Sequence, residues 1–156
     1  MGSAYSANFL YYIIMILMRW HSALDMPKNN KQWHIDDMVD EYAELLEARG
    51  FIATWSELSD VAYTYTRGKW SGHSVDLPIS KPKYYVGLVY MYPKYTARYI
   101  FFKRAGKKAG ATTPLKEVRN PNKTHKLHTI AKNYQVDPQT FQQVCEKQLK
   151  YWPLLP

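Results

Sequence analysis

The chain has 156 residues, 46% of them hydrophobic and 22% charged, with a formal net charge of +8. That length sets about one domain with a real buried core, and that hydrophobicity excludes a chain disordered throughout. A single cysteine, Cys145, excludes an internal disulfide and fits a reducing, intracellular compartment, without separating cytoplasm, nucleus and organelle matrix.

Phe9 to Met18 (FLYYIIMILM) is apolar without a break. It has half of the roughly 20 residues needed to span a bilayer. No basic n-region precedes it and no clean small-residue cleavage site follows, so a secretory signal is not expected. The pattern predicts a helix from about Ala7 to Leu24, ending near Pro27 because a residue before proline avoids the α region. Residues 1–27 read as an apolar helix that docks on a neighbour, and residues 28–156 as a basic helical domain. Met1-Gly2-Ser3-Ala4-Tyr5-Ser6 also matches the N-myristoylation pattern, which is short enough to arise by accident.

A second helix follows the polar connector Lys28–Lys31. Asp36 or Asp37 is the expected cap, and Met38, Val39, Tyr42, Leu45, Leu46 and Arg49 recur at helical spacing. Asp40, Glu41, Glu44 and Glu47 are placed on the outer face, and Gly50 where a C-terminal cap belongs. The region from His34 to Asp60 holds eight acids, opposed only by Arg49. His34 beside Asp36 and Asp37 reads as a helix start rather than a site. Thr54-Trp55-Ser56-Glu57 is a capping-box pattern that opens a third helix. Its stripe is Leu58, Val61, Ala62 and Tyr65, and its stop is Gly68. A loop is expected from Gly68 to Pro82, carrying Lys69, Trp70 and His73.

Tyr84 to Tyr92 (YYVGLVYMY) is aromatic and β-branched, which predicts a strand. Tyr95 to Lys108 fits either the return strand of a hairpin or a helix starting near Pro93 and burying Ala97, Ile100 and Phe101. The helix is favoured, because Arg98, Lys103, Arg104, Lys107 and Lys108 then form a basic flank and suit a helix C-terminus. Residues 106–123 form a basic arm with two prolines. Two further helices are expected at about Thr124–Tyr134 and Pro138–Trp152, the latter started by Asp137-Pro138. The fold class is mainly α, with or without a small β-hairpin, closing on a C-terminal helix pair.

The second half carries the charge. Lys81, Lys83, Lys94, Arg98, Lys103, Arg104, Lys107, Lys108, Lys116, Arg119, Lys123, Lys126 and Lys132 face one acid, Glu117. Such a block repels itself until a polyanion neutralises it, and nucleic acid is the commonest one. Tyr84, Tyr85, Tyr90, Tyr92, Tyr95, Tyr99, Phe101 and Phe102 are interleaved with these cations. Rings beside cations suit unpaired bases, so RNA is preferred to duplex DNA. The thirteen cations and Tyr99 are the candidate nucleic-acid contacts.

Leu127 to Val144 (LHTIAKNYQVDPQTFQQV) resembles a helix-turn-helix unit. Ala131 takes its small position, and Val136, Phe141 and Val144 its apolar ones, while Gln135 replaces the usual turn glycine. The resemblance implies that Gln139, Thr140, Gln142 and Gln143 face the major groove. A plain helix pair has the same spacing.

Other chemistry is absent from the pattern. Gly106-Lys107-Lys108-Ala109-Gly110 lacks the Gly-Lys-Ser/Thr ending of a phosphate-binding loop. His125 and His128 lack the further ligands a zinc site needs. No nucleophile–base or paired-carboxylate arrangement is legible, so no catalytic residue, metal or cofactor is expected. The tail Tyr151-Trp152-Pro153-Leu154-Leu155-Pro156 cannot continue a helix and is expected to pack on the domain or a neighbour. The expectation is a non-enzymatic RNA-binding component of a ribonucleoprotein assembly of ribosomal type. It would contact protein neighbours through its N-terminal helix and C-terminal tail. The alternatives are a helix-turn-helix DNA-binding protein and a structural or peripheral-membrane subunit.

Overall fold

The computed structural model describes residues 3–24, 26–112 and 126–149. Among the described residues there are six helices, in chain order α1 (Ser3–Ala23), α2 (Lys31–Glu47), α3 (Phe51–Trp70), α4 (Lys81–Lys108), α5 (Lys126–Asn133) and α6 (Pro138–Leu149). The described residues contain no strand, so the fold is mainly helical. None of these helices is long and apolar enough to cross a membrane. The chain divides into two units: unit 1 is residues 1–24 and 28–92, and unit 2 is residues 25–27 and 93–156.

In unit 1, α3 is the central element. Val61 and Ala62 are fully buried on it, and Leu58 nearly so. Val61 packs with Met38 of α2 and Val75 of the following loop, with Leu45, Tyr65, Leu77 and Ile79 around them. The Thr64 hydroxyl of α3 donates to Asp37 Oδ2 of α2 at 2.6 Å. On the α1 side, Trp20 meets Tyr63 edge-on at 6.2 Å, and Trp70 Nε1 donates to Ser22 Oγ at 3.0 Å. The first half of α4 crosses α3 at Gly87, a buried glycine. There a Cβ would overlap the Leu58 carbonyl oxygen and lie 3.2 Å from Ala62 Cβ. Trp55 Nε1 closes the same crossing, donating to the Val86 carbonyl at 2.9 Å.

Several expectations are corrected here. The strand expected at Tyr84–Tyr92 is the first part of α4. The β preference of Tyr and Val reflects packing on a half-buried surface, and a helix on α3 supplies that surface equally well. Pro93 lies inside α4, although its ring removes one rung of the hydrogen-bond ladder. Ile100, expected inside, is 42% exposed, while Phe101 is buried at 3%. The cap of α2 is Asn30, whose side chain accepts from Trp33 N, not Asp36 or Asp37. The start of α3 is Gly50–Phe51, upstream of the capping-box pattern. It also runs past Gly68, ending in a wrap in which His73 N donates to Gly68 O and Gly72 N to Lys69 O, with Gly72 at φ 88°.

Only part of the apolar pattern of α2 faces inward: Met38 is buried and Leu45 packs against its cluster. His34, Met38 and Glu41 are the buried residues, whereas Val39 and Leu46 are 63% and 61% exposed. Glu41, expected outside, is therefore inside.

In unit 2, Phe101 and Ala105 of α4 pack with Ile130, Ala131, Tyr134, Phe141 and Cys145 of the α5–α6 region. The Tyr134 ring lies flat against Gly106, where a Cβ would meet it at 3.1 Å. The ends of α4 and α5 repeat the α3 wrap: Ala111 N bonds Gly106 O, and Val136 N bonds Ala131 O. At α5 the left-handed position is held by Gln135, φ 58°. A side chain there costs energy that glycine avoids. Gln135→Gly is expected to raise the stability of unit 2 by about 0.5–1 kcal/mol, read as a higher melting temperature by circular dichroism.

Candidate nucleic-acid interface

The basic end of α4 is built by helical geometry. Phe101 and Ala105 turn inward, so Lys103, Arg104, Lys107 and Lys108 project outward, all four exposed. Residues three and four apart are neighbours on a helix, which makes these four one contiguous patch over the last turns. The Lys103 ammonium is held: Nζ donates to Tyr99 Oη at 2.8 Å and lies 5.0 Å from the ring centroid. Arg98 lies over Tyr95 at 5.1 Å. Beneath the patch, burial pushes the Tyr134 phenol up to about 12, with Tyr99 and Cys145 adding to the shift. The patch sits at the C-terminus of α4, where cations offset the helix dipole.

The other predicted contacts fall differently. Lys132 of α5 is exposed, as are Lys81 and Lys83 at the start of α4. Lys94 is only 1% exposed and is not part of that surface. Arg98 and Tyr99 are half-buried. The side chain of Lys126 and all of Lys116, Arg119, Lys123 and the C-terminal tail lie outside the described residues. In the α5–α6 pair, Gln139, Thr140 and Gln143 are exposed, and Gln142 Oε1 lies 3.1 Å from His128 Nε2. Asp137 caps α6, accepting from Thr140 N at 2.7 Å, which holds its carboxyl below the usual range.

The division into units follows charge. Unit 1 has eight Lys and Arg against nine Asp and Glu, a net of −1, and unit 2 has thirteen against four, a net of +9.

Unit 1 contains a polar nest that the sequence did not signal. Arg67 and His34 are fully buried and His21 is 1% exposed. Trp33 covers the guanidinium at 4.6 Å, Trp70 stacks on His21 at 5.9 Å, and His73 lies 5.8 Å from His34. Thr66 Oγ1 lies 2.7 Å from His21 Nε2 and 3.1 Å from the Tyr63 carbonyl oxygen. Both ring nitrogens of His34 are buried and have no hydrogen-bond partner among the described residues. Burial first, then the charge of Arg67, lowers His21 to about 3. The same causes, with His73, lower His34 to about 4. Both rings are neutral near neutral pH, which allows them to sit beside a buried cation.

Among the described residues, Glu41, Glu44 and Glu57 bring carboxylate oxygens within 4.8 Å of one another. Such oxygens suit a hard divalent cation, though acidic helices bring carboxylates together without one.

The chain matches no protein-family model, no curated protein and no solved structure.

Proposed function

We propose that unit 2 binds RNA through the basic end of α4, as a non-enzymatic component of a ribonucleoprotein assembly of ribosomal type. The observation that carries this reading is the contiguous exposed patch Lys103, Arg104, Lys107 and Lys108 in a unit of net charge +9. Four cations on adjacent turns match the repeating charge of a phosphate backbone, and neutralising phosphates releases condensed counterions. Tyr99 and Tyr95 beside Lys103 and Arg98 add rings that suit unpaired bases. Lys132 extends the cationic surface onto α5. The contacts carry little sequence information, because phosphates position without specifying.

The test is a titration of single-stranded RNA against the full chain across a salt series. Log affinity is expected to fall with log salt by about 0.7 for each phosphate neutralised. Lys107→Ala with Lys108→Ala should flatten that slope by about 1.4 and weaken binding about 25-fold near 0.1 M salt. Gln139→Ala with Gln143→Ala should change neither. Salt-independent affinity would overturn the reading. A defined duplex site lost in the double Gln variant would assign the α5–α6 pair to DNA instead.

A further inference from the structure

We propose that α1 is released by acid: protonation of His21 undocks its last two turns from α3, while α2, α3 and the first half of α4 stay packed together. His21 stands in the middle of the contact. It is buried on α1 together with Leu17, Trp20 and Leu24. From α3, the Tyr63 ring lies 5.3 Å from it, Trp70 stacks on it at 5.9 Å, and Thr66 Oγ1 is 2.7 Å from Nε2. From α4, Tyr92 stacks on the neighbouring Trp20 at 5.2 Å. The earlier turns of α1 contribute less, for Tyr11, Tyr12, Ile14, Met15 and Ile16 are exposed.

The charges around the ring are set against a proton. Arg67 of α3 is fully buried and acts on His21 directly. Lys28, just after α1, lies over the Trp70 ring at 4.9 Å, and Arg19 is exposed on α1 itself. Asp60, the buried acid of α3, stands about two turns before Arg67, and the balance at the ring still favours the neutral form. The phenols of Tyr63 and Tyr92 carry no charge in acid. An imidazolium in this place would be buried beside a guanidinium, and a buried charge facing one of its own sign is costly. Undocking returns the ring to water, where it takes up its proton near pH 6.5.

Release can be local because the two contacts of α3 are separate. The core it shares with α2 is Met38, Val61 and Val75, with Leu45, Tyr65, Leu77 and Ile79 around it, and among the described residues it holds none from α1. The other buried imidazole, His34, belongs to α2. Undocking α1 therefore admits one proton, whereas unfolding unit 1 admits two. Docked, His21 holds off its proton until about pH 3. Docking is at full strength above about pH 6.5, and below that each pH unit raises the released fraction about tenfold. Release uncovers Leu17, Trp20 and Leu24 and joins them to the exposed apolar run before them. RNA plays no part in this device.

The experiment is amide hydrogen exchange on the full chain from pH 7.5 to 5, with protection corrected for the intrinsic rate. Amides in the last two turns of α1 should be less protected at every pH than those around Val61 and Ala62 of α3. Their protection should fall about tenfold per pH unit below about 6.5, or about 30-fold by pH 5, the signature of one proton. The α3 amides open with the whole of unit 1, and theirs should fall about a hundredfold per unit. His21→Gln should flatten the α1 dependence, and circular dichroism checks that this variant is folded. If it does not fold, His34→Gln takes its place: the α1 slope should stay at one proton, and the α3 slope should drop to about tenfold per unit. Protection of α1 that is flat with pH, or that equals the protection of α3 in size and slope, overturns the proposal. So does an α1 dependence that persists in folded His21→Gln or is lost in His34→Gln.

Discussion

Gly87→Val is expected to abolish the cooperative unfolding of unit 1, and Gly87→Ala to destabilise it by about 2 kcal/mol. At an exposed helix position Gly→Ala stabilises by about 1 kcal/mol, through backbone entropy. Here the sign reverses. The added Cβ would overlap the Leu58 carbonyl oxygen, which belongs to the α3 backbone and cannot rotate away, and would press on Ala62 Cβ at 3.2 Å. Relief requires α4 to lift off α3. That movement also lengthens the Trp55–Val86 hydrogen bond and opens the packing around the buried Met91. Overpacking of this kind costs about 1–3 kcal/mol, and the larger valine exceeds what the crossing can absorb. Urea unfolding followed by tryptophan fluorescence reads the result, since four of the five tryptophans, Trp20, Trp33, Trp55 and Trp70, lie in unit 1, and Trp152→Phe removes the one in unit 2. Val89→Ala is the control: Val89 is 68% exposed on the same helix, and its loss should stay within about 0.5 kcal/mol. An unchanged midpoint for Gly87→Ala would show that the helices are not in contact there.

The stripe of α3 was legible because Leu58, Val61 and Ala62 follow helical spacing and all point inward. The first half of α4 carried the same signal beneath its β-rich composition. Tyr84, Gly87, Leu88 and Met91 stand at i, i+3, i+4 and i+7, and Gly87 and Met91 are buried. In this segment spacing is a better guide than composition. The stripe of α2 was legible at Met38 and Leu45, which pack on α3, but not at Val39 and Leu46, which are exposed. Periodic spacing marks Val39 and Leu46 as interior as well, whereas the side of α2 that meets α3 also carries a polar contact, Thr64 to Asp37. Periodicity counts hydrophobes and is blind to such bonds. The patch at the end of α4 follows from helical spacing once Phe101 is placed inside. The Arg67 nest had no counterpart in the pattern, because an arginine near a helix end reads as a solvated one until tertiary structure folds Trp33 over it.

Lowering the pH from about 7.5 to 5 is expected to remove roughly 4 kcal/mol of the stability of unit 1. In the folded chain His21 and His34 titrate at about 3 and about 4, whereas in the unfolded chain both titrate near 6.5. Below about 6.5 the unfolded state therefore binds two protons that the folded state refuses. Stability falls with each step down in pH until the folded pKa values are reached, and above about 6.5 it is unaffected by these groups. The cause is burial, reinforced by the fixed charge of Arg67, which repels a protonated ring. The window above pH 5 separates this effect from carboxylate protonation, which lies lower. Urea midpoints across that window measure it, and proton NMR of the ring resonances assigns it. Stability flat from pH 7.5 to 5, or a His34 resonance titrating near 6.5, would show that the nest is open to water.

The two units are joined by a shared helix, for α4 begins in one and ends in the other, with Pro93 as the first residue on the far side. Neither part is long enough to persist alone, because short helices in water melt without tertiary support. Each part is therefore kept helical by the core it packs on, Gly87 and Met91 by α3, and Phe101 and Ala105 by Ile130 and Phe141. The missing amide of Pro93 deprives the Val89 carbonyl of its partner at that boundary. The weakest rung of the longest helix thus lies between two anchored segments. Thermal opening there is local: amide exchange can begin at this rung without dissolving either core.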